Sequence, residues 1–314
     1  MKTYLKIGAI VLSAMMPATQ ALAEWAPDGP ITLDIGFRAG GGADTQARLI
    51  GKELSEQKGW TIAYKNTPGK GGGNLARAMK DAPNDGLSIA IAVTDTVTYN
   101  PLVSDKTGFT HKDFDYIITT APTQMGLVVR ADSGWTSLAD LAKAGKSRDL
   151  KFAVMAPRLA DGAYVIAKSQ GIKFNQVSVK GGRGVLNSLM ANDVDVGFVA
   201  GIHVKGVESG DLVNLASAES TRLTMSPEVP TLREQGIPYD FGVSFLVFGP
   251  KGMPEDARKG IADAIGEILR NEDSEARQFI QRAMGTPPLL TGAELDQHIE
   301  DLVQQNTEML ATIE

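Results

Sequence analysis

Residues 31 to 45 read ITLDIGFRAGGGADT, an apolar strand that runs into three consecutive glycines and then an acid. A glycine-rich loop between a strand and a helix suits an anion. Bare backbone can approach a ligand closely, and N–H groups at a helix start point at it with the helix dipole behind them. Further loops of glycine and small polar residues follow around Gly71, Thr94, Ala156 and Gly181. Arg38, Arg158 and Arg183 sit at or in such loops. A charge-assisted bond from one of them to a ligand would be worth ~1.5–3 kcal/mol, and the planar guanidinium fork matches a carboxylate. Sugars prefer stacked aromatic rings, which are only 6% of this chain. Cation sites want acids and aromatic cages, and these loops are not acidic enough for one. The loops therefore point to an anionic ligand.

Groups for catalysis are sparse. Gly40-Gly41-Gly42-Ala43-Asp44-Thr45 has threonine where a dinucleotide fingerprint needs glycine or alanine, and Gly69-Lys70-Gly71-Gly72-Gly73-Asn74 ends in asparagine. Neither cluster fits the phosphate-gripping GxxxxGK[ST] pattern. The chain has no cysteine, which removes disulfides, thiol catalysis and thiolate metal sites together. His111, His203 and His298 are far apart and lack flanking motifs, and neither HExxH nor GxSxG occurs. An enzyme acting on an organic acid would need a base, and only Asp95, Asp161 or His203 are placed to serve. A binding protein without enzymatic activity, cofactor or metal is the expectation.

The elements that must position these loops alternate along the chain. ITLDIGF is a strand at period two, and ADTQARLIGKELSEQ switches to helical spacing, with Asp44 or Thr45 as the expected N-cap. WTIAYKN and LSIAIAV are further strands, and the pattern restarts with QMGLVVRAD. There Thr136 or Ser137 is expected to cap a short helix. LKFAVMAPRLADGAYVIAKSQG, FNQVSVKGGRGVLNSLMAND and VDVGFVAGIHVKGVESG each read as strand, loop and helix. Residues 256 to 314 are mostly helical, and the last helix opens on a Thr291-Gly-Ala-Glu294 capping-box spacing. Strand–loop–helix repetition predicts α/β domains with mostly parallel sheets, whose ligand loops gather at the carboxyl edge of the strands.

Length and ends frame this arrangement. Lys2 and Lys6, an apolar stretch from Ile7 to Met16 and a small-x-small end at Ala21-Leu22-Ala23 form a secretory signal pattern, with cleavage expected after Ala23. Roughly 290 residues then remain, which at ~150 residues per domain suggests two domains. The formal net charge of −6 and the lack of a long basic run argue against nucleic acid as a partner. No low-complexity linker separates the halves, so the chain is expected to cross between them twice over short extended segments, near residues 120 and 240. One domain would comprise residues 24–121 plus 246–314, the other residues 122–245.

The stretches Pro30-Ile31, Gly40 to Asp44, Ala47-Arg48-Leu49, Asn66-Thr67-Pro68-Gly69 and Ala82-Pro83-Asn84-Asp85-Gly86 resemble motifs of the tripartite tricarboxylate transporter solute-binding proteins, the Bug receptors. Later matches are VKGGRGVLNSLMANDVDVGF, PEVPTLREQGIP and FLVFGPKGMPEDA, so the resemblance covers essentially the whole chain after the signal segment. It implies a two-domain periplasmic receptor with a Venus-flytrap cleft. Such a receptor acts as a monomer and presents a small carboxylate, most readily a di- or tricarboxylate, to a membrane transporter. Carried over, the site comprises Phe37, Arg38, Ala39, Gly40, Gly41, Asp44 and Thr45, and the strand end Thr94, Asp95 and Thr96. From the second domain come Ala156, Pro157, Arg158, Asp161, Lys180, Gly181, Gly182, Arg183, Ala200 and Gly201, with Phe245 beyond. Asp44 is expected to cap its helix, because a carboxylate beside a bound anion costs affinity. Arg38 stands where small residues or proline are common in the family, and MAPRLADGAY replaces a loop usually richer in glycine and serine. Both departures suit a ligand with a further carboxylate.

Overall fold

A computed structural model describes residues 25–313, so the signal segment and its cleavage point lie outside the described residues. Strand β1 (Ile31–Ile35) buries Ile31, Leu33 and Ile35, and is followed by α1 (Gly42–Lys58), which Gly59 closes in a left-handed turn. Then come β2 (Ile62–Asn66), α2 (Gly73–Lys80), β3 (Ser88–Val93), the one-turn α3 (Asp95–Thr98) and β4 (Phe114–Pro122). The next run is β5 (Met125–Arg130), α4 (Leu138–Ser147), β6 (Leu150–Val154), α5 (Pro157–Gln170), β7 (Phe174–Ser178) and α6 (Gly181–Met190). After β8 (Val196–Ala200), α7 (Val204–Glu208) and β9 (Leu212–Ser217), the chain returns through β10 (Ser244–Pro250). It ends in α8 (Glu255–Arg270), α9 (Glu275–Ala283) and α10 (Gly292–Ile313).

Two five-stranded sheets result, in the orders β2-β1-β3-β10-β4 and β7-β6-β8-β5-β9. The molecule is a two-domain α/β protein of mostly parallel sheets flanked by helices. Each sheet has one reversed strand in its fourth place: β10 runs antiparallel to β3 and β4, and β5 antiparallel to β8 and β9. Those two strands are the ones that have just arrived from the other sheet. Only Thr123 and Gln124 separate β4 from β5. Residues 218–243 make the return from β9 to β10.

Two capping expectations resolve differently. Ser137 caps α4 in a full capping box, its hydroxyl accepting from the Asp140 N–H while the Asp140 carboxylate accepts from the Ser137 N–H. At α1 the N-cap is Gly41, whereas Asp44 lies at the third helical position and reaches back to accept from the Gly40 N–H at 2.9 Å. Thr45 turns its hydroxyl onto the Gly41 carbonyl, one turn back. The next residue, Gly42, passes close to the facing half: a Cβ on it would lie 3.3 Å from the Ile202 side chain.

Candidate functional site

Three helix starts converge on one cavity between the sheets. From the first sheet comes the start of α1, with Gly41, Gly42 and Ala43; from the second come those of α5, with Ala156, Arg158 and Leu159, and of α6, with Gly181, Gly182 and Arg183. The first intrahelical bond of α1 runs from the Thr45 N–H to the Gly41 carbonyl, so the N–H groups of Gly42, Ala43 and Asp44 precede the helical ladder. In α5 the ladder begins at Ala160, bonded to the Ala156 carbonyl, and Pro157 at the first helical position has no N–H to satisfy. Phe37, Phe241 and Phe245, with Val93, Met125, Met155 and Ile202, supply an apolar wall. The cavity measures about 60 Å³, several times the ~10–15 Å³ that one water needs.

Hydrogen bonds hold these starts in place. Asp44 is buried, and its carboxylate accepts from the Gly40 N–H, from Arg48 Nε at 2.9 Å and from Asn66 Nδ2 at 2.9 Å. Burial alone would raise the Asp44 carboxyl, but these bonds outweigh it and hold it below the usual carboxylate range. Asn66 also donates to the Phe37 carbonyl at 3.0 Å and so ties both ends of the first loop together. The second glycine cluster is pinned from behind: Thr96 Oγ1 donates to the Gly71 carbonyl at 2.8 Å, and Asn100 Nδ2 to the Lys70 carbonyl at 3.0 Å. Gly71, at φ +59°, faces Ala156 across the cavity so closely that a Cβ on it would lie 2.9 Å from the Ala156 Cβ.

The charged side chains divide into a buried pair and an exposed rim. Arg158 is buried, and its NH1 donates to Asp95 Oδ1 at 3.1 Å and to Asn306 Oδ1 of α10 at 2.7 Å. Its NH2 donates to the Asp240 carbonyl of the return crossover at 3.2 Å. One guanidinium therefore joins the strand end after β3, the C-terminal helix and a crossover. Burial pushes the Asp95 carboxyl above its usual range in spite of Arg158 beside it. Arg38 and Arg183 are exposed, and Arg183 NH2 donates to the Gly40 carbonyl at 3.0 Å, bridging the two halves at the rim.

Of the residues expected from sequence, the cavity wall includes Phe37, Arg38, Gly41, Asp95, Ala156, Arg158, Gly181, Gly182, Arg183, Ala200 and Phe245. The others stand outside that lining. Ala39 and Gly40 are exposed on the loop. Asp44, Thr45, Thr94 and Thr96 fix backbone: the Thr94 N–H donates to the Ser244 carbonyl, and its hydroxyl accepts from the Ser244 N–H. Asp161 accepts a hydrogen bond from the Tyr99 hydroxyl across the halves. Pro157 and Lys180 face a neighbouring cleft, and Gly201 packs against the Ala283 carbonyl. Sequence reasoning left out Asn100, Thr123, Met125, Phe241 and the other apolar wall residues. Of these, Thr123 and Phe241 belong to the two crossovers, which the sequence did mark as extended segments.

Among the described residues no group of three or more His, Cys, Asp or Glu is placed to hold a metal ion. His203 is fully buried and bonded through Nε2 to Asn214 Oδ1 at 3.1 Å; burial pushes its imidazole down to about 4, so it stays neutral.

A profile of the tripartite tricarboxylate transporter family receptor matches residues 46–313. A UPF0065 protein of the gbd 5' region of Cupriavidus necator is 29% identical over 268 residues, covering 82% of this chain and 79% of its own. The structure of the periplasmic binding protein BugD superposes with a TM-score of 0.83 at 21% identity, covering 92% of this chain and 98% of its own. An R. palustris protein solved with adipate gives a TM-score of 0.82 at 24% identity, over 91% and 98% of the two chains.

Proposed function

The chain belongs to the tripartite tricarboxylate transporter receptor family, and from that premise we propose that it is an exported binding protein that closes over a small organic carboxylate and hands it to a membrane transporter. The convergence of three helix starts, drawn from both sheets, on one cavity carries this reading. Each start is worth about 0.3–1 kcal/mol to an anion and up to ~2 when partly buried, so together they supply a few kcal/mol, on the order of a hundredfold in affinity. The apolar wall takes the carbon skeleton, and the adipate found in a structural relative is an acid of that type.

Residues 24–121 with 246–314 form one closing half and residues 122–245 the other, with the cut of the leader after Ala23. The ligand touches both halves and so favours the closed arrangement over the open one. Two of the groups that could serve as a base in an enzyme are engaged away from the cavity, Asp161 by Tyr99 and His203 by Asn214, and the third, Asp95, is ion-paired with Arg158. These contacts support binding without turnover. Titration calorimetry against C4 to C6 di- and tricarboxylates, aromatic carboxylates and amino acids tests it. Binding of at least one carboxylate with its return unchanged is expected; no binding across the panel, or a new product by mass spectrometry, overturns the reading.

A further inference from the structure

The Asp95–Arg158 pair leaves one buried polar atom on each partner without a hydrogen bond. Arg158 spends NH1 on Asp95 and Asn306 and NH2 on the Asp240 carbonyl, while its buried Nε has no hydrogen-bond partner. Asp95 spends only Oδ1; its Oδ2 is buried and has no hydrogen-bond partner. Asp95 lines the cavity and is 4% exposed. An ionised carboxylate oxygen is acceptor-only, and burying it unmatched is costly. The other polar side chains of the cavity wall offer it nothing: Asn100 Nδ2 donates to the Lys70 and Gly71 carbonyls, and Thr123 Oγ1 to Glu219 and the Val243 carbonyl. Arg38 and Arg183 stand exposed at the rim.

Inside the cavity, then, the side-chain charge is one anion and one cation already paired. The helix starts offer donors to a ligand carboxylate, while Asp95 offers an acceptor and repels a second carboxylate. Resting on the carboxylate reading above, we infer that Asp95 is a specificity-determining residue, which selects acids carrying a hydrogen-bond donor, an ammonium or a hydroxyl, on their skeleton over unsubstituted diacids. A buried acceptor matched by a ligand donor rejects the analogue that lacks it far more strongly than an apolar wall rejects a missing methylene.

The test uses the full processed chain and matched skeletons: succinate, malate and aspartate, then glutarate, 2-hydroxyglutarate and glutamate, each titrated by calorimetry. A donor-bearing acid is expected to bind at least tenfold tighter than its unsubstituted counterpart in at least one series. In Asp95→Asn, which puts an amide N–H₂ where an acceptor stood, that ratio is expected to fall below threefold. Asn306→Ala removes another partner of Arg158 without touching Asp95, and should shift all affinities together while preserving the ratio. Thermal melts confirm that both variants fold. Equal binding of the substituted and unsubstituted acids by the wild type overturns the inference and leaves the carboxylate reading standing. So does an Asp95→Asn variant that weakens every ligand alike, which would reduce Asp95 to a structural partner of Arg158. Absence of binding by every acid overturns both.

Discussion

In the first sheet β1 hands over to α1 through Gly40, Gly41 and Gly42, whereas in the second β6 hands over to α5 through Met155, Ala156 and Pro157. The two sheets repeat one strand order, so these loops occupy matching places. The glycine loop presents backbone, and the side chains that hold it, Asp44 and Asn66, work from behind. The other loop presents a side chain: proline fixes the helix start, and Arg158 reaches back to Asp95 and α10. One cradle offers free amides at a helix start, and the side chain of its partner ties the two halves together. A pair of like folds thus presents backbone on one side and a paired side chain on the other.

The largest expected effect comes from wedging the two cradles apart. Gly71→Val adds a β-branched side chain at a left-handed φ and drives it into Ala156. Affinity for the ligand should fall at least a hundredfold by calorimetry, with a backbone cost of ~1–3 kcal/mol in chemical denaturation. Gly71→Ala, about tenfold weaker in binding than wild type, would grade the effect. Unchanged affinity in the valine variant would mean that the halves do not approach at Gly71 when ligand is bound.

Loosening the glycine cradle from behind comes next. Asp44→Ala leaves the Gly40 N–H and the Asn66 amide without their acceptor and should lower stability by ~1–3 kcal/mol, with roughly tenfold weaker binding. Because the Asp44 carboxyl lies below its ordinary range in the fold, its contribution is present above the unfolded value and is lost as pH falls through the folded one. The variant and the wild type should therefore converge in stability in acid. A difference that does not narrow at all as pH falls would show that the loss is packing and not the carboxylate.

Glu219 gives the reverse pH dependence. It accepts from Thr123 Oγ1, from the Met125 N–H at 2.8 Å and from the Gly242 N–H at 3.1 Å, and so binds both crossovers. Burial pushes its carboxyl from 4.5 up to about 8 against those bonds. A carboxyl raised in the fold retains a proton that the unfolded chain has lost, so stability should decline as pH rises from about 4.5 to about 8. In Glu219→Gln melts that decline should flatten; an identical slope would assign it to other groups. The smallest effect is expected at the rim. Arg183→Ala removes an exposed bond to the Gly40 carbonyl and should weaken binding about threefold, less so at high salt, where exposed charges are screened.

Much of this architecture was legible because strand alternation and glycine punctuation are local signals. The readings of β1, α1, β2, β3, β5 and α4 to α6 followed from them. Strands β4, β9 and β10 were not read: FDYIITTAP and SFLVFGP are buried along almost their whole length, and a strand covered on both faces shows no apolar–polar alternation. The glycine loops at the cavity were visible as types in a row. What was not visible is partnership across distance. Arg158 as a type suggested an anion partner, but its neighbours Asp95, Asn306 and Asp240 are 63, 148 and 82 residues away. Asp44 looked like a cap by position, and only the backbone trace shows that Gly41 holds that place.

The brevity of the first crossover limits how the protein can move. From Pro122 at the end of β4 to Met125 at the start of β5 there are three residue steps, ~10–11 Å at full stretch. The sheets are leashed at that point however wide the mouth gapes, and Glu219 ties the second crossover to the same spot. On the reading proposed above, halves that open around a ligand would swing about this point without drifting apart, and each release would leave a molecule one rotation from loading again.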